Sequence, residues 1–317
     1  MNAEIKSDLI KWAEMYETPD FVKADPVQIP ARYYYNSDPR NLEISAFVTA
    51  WIAWGSRKQI IEKADFIDRE IFKGEPAKYI LSEDWRQFLN SSENLYRTFN
   101  YGDFFAICQR LWSVYQAKET LEQYLAETKG VVANSTVLYI IQLTFGEING
   151  IPNEKSQSAC KRLNMFLRWM CRQKSPVDFG IWTICPQNKL IIPLDTHVHK
   201  QALRLGLTNR RTPDLQTAIE ITNQFNELFP GDPTKGDFAL FGYGVNNSVK
   251  QAGQKVKQAV EELGIVATKA TKAIREITAT IKPVEEMTIT DVLQLPLFFE
   301  NAQKDLADVW NQRVAAR

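Results

Sequence analysis

Apolar positions recur at helical spacing along most of the chain. Ile5, Leu9, Trp12, Ala13 and Tyr16 fall on one stripe and predict a short amphipathic helix over residues 4–17. Pro19, Pro26, Pro30 and the run Tyr33-Tyr34-Tyr35 predict an irregular connection, closed by the turn and helix-start signal Asn36-Ser37-Asp38-Pro39. The stretch SAFVTAWIAW is apolar nearly all round, the mark of a helix enclosed by others. Leu42 to about Phe72 therefore reads as a buried helix, a break at Gly55-Ser56-Arg57 and a second helix. Helical windows continue over 76–127, separated by Pro76, Asn90-Ser91-Ser92 and Asn100-Tyr101-Gly102. Strand character is confined to Leu190–Ile192, so the expected fold class is all-α.

From Cys160 to Arg172, at about 100° per residue, Leu163, Phe166, Leu167 and Met170 share one helical face and Lys161, Arg168 and Arg172 the other. One side packs and the other presents three cations. Thr212 is the predicted N-cap and Pro213 the first residue of a helix running to Phe229. Gly231-Asp232-Pro233 breaks that helix, and DFALFGYG follows as a compact apolar helix or turn. Past Asn246 the chain turns to Ala, Lys, Thr and Glu, which predicts a main domain over 1–250 and a helical C-terminal extension over 251–317.

Composition narrows the function classes. The 317 residues are 44% hydrophobic and 24% charged, ordinary for a globular protein. No charged leader with an apolar run and cleavage site is found, and no bilayer-length apolar stretch, so a cytoplasmic protein without a membrane partner is expected. Cys108, Cys160, Cys171 and Cys185 form no CxxC pair, which points to free thiols and to neither a zinc knuckle nor an iron–sulfur run. Net charge is zero, yet cations cluster locally: Lys155, Lys161, Arg162, Arg168, Arg172 and Lys174 in one segment, Lys200, Arg204, Arg210 and Arg211 in another, neither holding an acid. Between the two segments stands the sequence LIIPLDTHVHKQALRLGL, with Asp195 and both histidines of the chain, His197 and His199.

Three readings of that stretch compete. Asp195 caps the following helix, accepting hydrogen bonds from its first amides. Alternatively, an apolar strand ending in DTHVH resembles the first metal-ligand motif of the amidohydrolase barrels. That site needs further histidines, which this chain lacks, and on a helix His197 and His199 lie roughly 200° apart and cannot chelate together. No metal and no cofactor is therefore expected.

The third reading is base excision. D-T-H-V-x-K-x-x-x-R-L-G-L, Asp195 to Leu207, resembles the catalytic-aspartate segment of the helix–hairpin–helix DNA glycosylases. Thr212-Pro213, Pro230 and Phe241-Gly242 follow in the order those enzymes show. Upstream, KRLNMFLRW is similar to the lysine-bearing helix of archaeal-type 8-oxoguanine glycosylases, and Phe47 to Ala64 resembles their buried helix and lesion-facing loop. Residues 1 to about 250 also resemble an uncharacterised bacterial family of unknown function, which names no reaction.

The glycosylase resemblance implies two interleaved helical lobes around a cleft, a damaged-duplex DNA partner, Lys161 as Schiff-base nucleophile and Asp195 as the fixed carboxylate. Arg57, Arg162, Arg168, Arg172, His197, Lys200 and Arg204 form the expected substrate-binding set. A lysine amine attacks only as the free base, a state that burial or cationic neighbours favour, and Arg162 and Arg168 are the candidate neighbours. Trp51, Trp54, Trp169 and Trp182 are candidates for a stacking wall against a flipped base, or for core. The activity implied is that of a bifunctional glycosylase/lyase on an oxidised purine.

The chain departs from the family where a Pro-Gly-x-Gly hairpin would precede the lysine. Glu154 to Cys160 holds no glycine there, although Gly150-Ile151-Pro152 lies a little earlier, and residues 175–188 read as an insertion. The missing hairpin glycines and the zero net charge favour a rival, a nucleic-acid-binding protein that does not cut. Separately, Gln294-Leu295-Pro296-Leu297-Phe298 resembles the short peptide by which bacterial repair proteins dock on the sliding clamp.

Overall fold

The computed structural model describes residues 3–132 and 134–244. The predicted C-terminal extension and the clamp-like peptide with Gln294, Leu295, Leu297 and Phe298 lie outside the described residues. Met1–Leu240 forms one compact unit, and it is helical as the periodicity predicts.

Helix α1 (Ala3–Tyr16) buries Leu9, Ala13 and Tyr16 on the predicted stripe. The proline-rich connection is more regular than expected. It forms α2 (Pro19–Lys23) and two 3₁₀ turns, Pro26–Gln28 and Pro30–Tyr33, each opening on a proline whose fixed φ and missing N–H suit a first helical position. Asp38 caps α3 (Pro39–Trp51), in which every residue from Leu42 to Trp51 is buried. Ser56 caps α4 (Arg57–Phe66), which continues into a π-helical turn, Ile67–Ile71.

After α5 (Pro76–Ser82) comes an element missed in the sequence, a hairpin of β1 (Asn94–Tyr96) and β2 (Phe99–Asn100), antiparallel with Tyr96 opposite Phe99. Strands this short carry too few alternating positions to register as period two. Conversely, Leu190–Ile192 forms no strand among the described residues.

A capping box of Asn100 and Asp103 opens α6 (Tyr101–Ala117), followed by α7 (Leu121–Val131), α8 (Val137–Phe145) and α9 (Lys161–Cys171). A long irregular segment leads to α10 (Thr196–Arg204). Helix α11 (Leu215–Leu228) begins two residues beyond the predicted start, because Asp214 rather than Thr212 caps it through the amide of Thr217. Residues 236–244 are helical.

The centre is an aromatic cluster. Phe47 of α3 meets Phe145 of α8 at 4.5 Å and Phe166 of α9 at 5.2 Å, and Trp182 from the irregular segment closes edge-on to Phe166 at 5.2 Å. Packing of α3 against α9 fixes where the first residue of α9, Lys161, emerges.

Candidate active site

Asp195 is placed by its flanks. Leu190, Ile192 and Leu194 are buried, and the Ile192 amide donates to Thr222 Oγ1 at 3.0 Å, pinning the segment to α11. The carboxylate then divides its work. Oδ1 accepts from the amides of His197 at 2.9 Å and Val198 at 2.8 Å, the capping expected of it, while Oδ2 stands 3.6 Å from Lys161 Nζ. Each side chain of that pair is 34% exposed. The lysine opens α9 immediately after Cys160, a buried residue held at φ 51°.

A second carboxylate joins the pair. Asp237, in the helical stretch after the Gly231 turn, receives a hydrogen bond from Arg168 Nη1. Burial pushes its carboxyl up to about 6, with Arg168 pulling it down, Asp195 raising it and Lys161 lowering it. Asp25 acts on Asp237 in the same sense as Asp195 and lies 3.7 Å from Arg57 of α4. Neither Asp237 nor Asp25 is singled out by the sequence. The available signal was a lone acid, Asp237, at the head of an apolar run, matching the excess of cations on α9.

The expected basic face of α9 is not a surface. Arg168 is 3% and Arg172 1% exposed, and every residue from Leu163 to Cys171 is buried. Arg168 Nε donates to Asp178 Oδ1 at 3.1 Å. Arg172 donates to Asp178 Oδ2 at 2.9 Å and to Asp232 at 2.8 and 2.6 Å, and pairs with Glu17 at 2.6 Å. Both guanidinium groups lie against the Phe238 ring, 4.9 and 5.4 Å from its centre. These two arginines are structural and not substrate contacts, since buried charges of this kind persist only when paired.

Arg162 is also turned inward, donating to the carbonyls of Trp51 and Gly150. The two arginines expected to neighbour Lys161 as cations are thus committed elsewhere. Arg57 is half-buried beside Asp25, whereas His197, Lys200 and Arg204 are exposed on α10. His199 is buried, its Nε2 2.8 Å from the Arg210 carbonyl, so the two histidines face different surroundings. Because the segment is a helix and not a strand, the geometry the amidohydrolase motif requires is not formed, and among the described residues no three His, Cys, Asp or Glu converge as a ligand set. Of the four candidate tryptophans, Trp51, Trp169 and Trp182 are core, and Trp54 is 48% exposed.

The loop ahead of α9 consumes its own amides. Lys155 N binds Asn153 Oδ1, Ser156 N the Asn153 carbonyl, Ser158 N the Ser156 hydroxyl and Cys160 N the Ser158 hydroxyl. Ser158 also bridges to Asp214. Those four amides are not presented to an anion. All four cysteines are free thiols, three of them buried. Among the described residues no helix is long and apolar enough to cross a membrane.

Residues 25–246 match the model of a family described as Protein of unknown function (DUF2400). No curated protein and no solved structure matches the chain.

Proposed function

The chain belongs to the DUF2400 family, whose description names no reaction, and from the motif resemblance together with the lysine–aspartate pair we propose a base-excision DNA N-glycosylase with lyase activity on an oxidised purine such as 8-oxoguanine. The observation that carries this reading is the approach of Lys161 Nζ to Asp195 Oδ2 at 3.6 Å, both side chains reachable by solvent. The amine forms a bond to C1′ as the bond to the purine nitrogen breaks and its electron pair leaves with the base. Asp195 stabilises the positive charge that develops on the sugar and takes the proton released by the amine. Ring opening leaves an imine, and loss of the C2′ proton expels the 3′ phosphate. In this reading the described unit is the glycosylase-like domain, its two lobes meeting at the lysine–aspartate pair.

Borohydride is expected to trap a covalent complex with an 8-oxoguanine duplex, and Lys161→Gln to abolish it. Absence of a trapped species on any damaged-base duplex would falsify the lyase chemistry. One observation favours the rival, binding without cleavage: the loop at 153–160 spends the amides of Lys155, Ser156, Ser158 and Cys160 on its own structure, where a phosphate-gripping hairpin would leave them open. Salt-sensitive binding without lesion preference, unchanged by Asp195→Asn, decides for that rival.

A further inference from the structure

A groove of about 480 Å³ runs between α4 and the tip of the β1–β2 hairpin, with Gln59, Glu62, Lys63 and Phe66 on one wall and Tyr96 and Arg97 on the other. Its volume lies within the roughly 300–1,000 Å³ usual for small-ligand sites. Two cations, Lys63 and Arg97, and one acid, Glu62, line it. Among the described residues, Lys63 and Arg97 form no salt bridge, while Glu62 pairs with Lys58 at 3.9 Å. The Lys63 ammonium sits 4.3 Å from the centre of the Phe66 ring, and burial lowers its pKa.

The hairpin wall is built to present its charge. Arg97, at φ 55° in the turn, lays its guanidinium 4.9 Å from the Trp54 ring, and the Tyr96 hydroxyl donates to the Trp54 carbonyl at 2.9 Å. Gly55, at φ 117°, makes room, since a Cβ there would meet Arg97 Nη1 at 2.6 Å and Tyr96 Oη at 3.1 Å. Exposed Phe66, at 37%, thus lines a groove whose two cations outnumber its one acid, and exposed Trp54, at 48%, stands beside it against Arg97.

The groove and the lysine–aspartate pair are joined through one loop, 52–56. Its first end hangs from Trp51, whose carbonyl Arg162, the neighbour of Lys161, holds. Its other end leads to Arg57, which pairs with Asp25, whose charge acts on Asp237.

We propose that this groove binds an unpaired nucleotide of a DNA strand, the phosphate between Lys63 and Arg97 and the base against the Trp54 and Phe66 rings. Aromatic faces and paired-up cations are the two features that single-strand sites combine, and a base already stacked in a duplex has no face to offer them. The choice of DNA rests on the glycosylase reading; the nucleotide chemistry of the groove does not.

The test is fluorescence anisotropy of a labelled oligothymidylate with the full chain and its variants. Joint Lys63→Gln and Arg97→Gln substitution is expected to weaken binding at least about tenfold and to make the log-affinity against log-salt slope shallower by about 0.7, the value for one phosphate contact on a single strand. Trp54→Ala, which removes the ring and leaves both charges, is expected to weaken binding without altering the slope. Unchanged affinity and slope in the double variant overturns the proposal. So does displacement of the strand by thymidine monophosphate at equal affinity, which would make this a free-nucleotide site, or tighter binding of oligouridylate, which would assign it to RNA. If borohydride traps nothing while binding still depends on Lys63 and Arg97, the glycosylase chemistry falls and the groove stands. If trapping is intact while binding is indifferent to both cations, the groove falls and the glycosylase chemistry stands.

Discussion

At the scale of single residues, Asp195 performs two tasks that substitution can separate. Asparagine keeps an oxygen for the amides of His197 and Val198 but removes the charge facing Lys161. Asp195→Asn is therefore expected to melt as the wild type does and, under the proposed glycosylase chemistry, to lose at least about a hundredfold in base release, the scale of one lost electrostatic contact at a reacting centre. Asp195→Ala loses the cap as well, at about 1 kcal/mol of stability. Thermal melts beside single-turnover assays separate the two effects. Arg172 shows why residue type alone misleads: in sequence it is one more cation of a basic segment, and in the fold it is 1% exposed among Asp178, Asp232 and Glu17. Arg172→Ala is expected to cost about 3–5 kcal/mol in chemical denaturation, because it strands buried carboxylates.

At the scale of elements, Glu43 ties four segments together. Its carboxylate accepts from Tyr115 of α6 at 3.1 Å, from the first amides of α7 at 2.8 and 3.3 Å and from Trp182 of the irregular segment at 2.9 Å, all from a position inside α3. Burial raises its pKa from 4.5 to about 7 even against those four donors. A folded value above the unfolded one means that the folded state holds the proton more tightly. The contribution is full below 4.5 and is lost as pH rises through 7, in total about 3 kcal/mol at about 1.4 per unit. Unfolding free energies measured from pH 5 to 8 should therefore fall more steeply in the wild type than in Glu43→Gln; parallel profiles would show that the shift is absent. Gly236 marks another joint, since a Cβ there would lie 2.3 Å from the Phe225 ring of α11. Gly236→Ala is expected to destabilise by about 1–3 kcal/mol through overpacking, read as a lowered denaturation midpoint.

At the scale of the whole molecule, distant parts of the chain meet at Arg172. Glu17, just past α1, pairs with Arg172 at 2.6 Å and lies 3.7 Å from Lys235, while Asp232 approaches the same guanidinium at 2.6 Å. Glu17 precedes the family-matched residues 25–246. Removing residues 1–17 should consequently cost about 3 kcal/mol or more by leaving part of a buried charge uncompensated. A denaturation midpoint equal to that of the full chain would mean that Asp178 and Asp232 suffice.

Local pattern was enough for much of this protein. The all-α class, the buried α3 and its break at Gly55, and the capping by Asp195 all arise from contacts within a few residues, which spacing and residue type encode directly. Long-range pairing was not legible. The cationic side of α9 looks solvated until Glu17, Asp178, Asp232 and Asp237 arrive from elsewhere in the chain to neutralise it. Likewise the approach of Lys161 to Asp195, the raised carboxyl of Asp237 and the groove between α4 and the hairpin depend on how helices dock. Charge carries no sequence mark of whether its partner will be water or another side chain, so tertiary packing decided which cations are structure and which remain exposed.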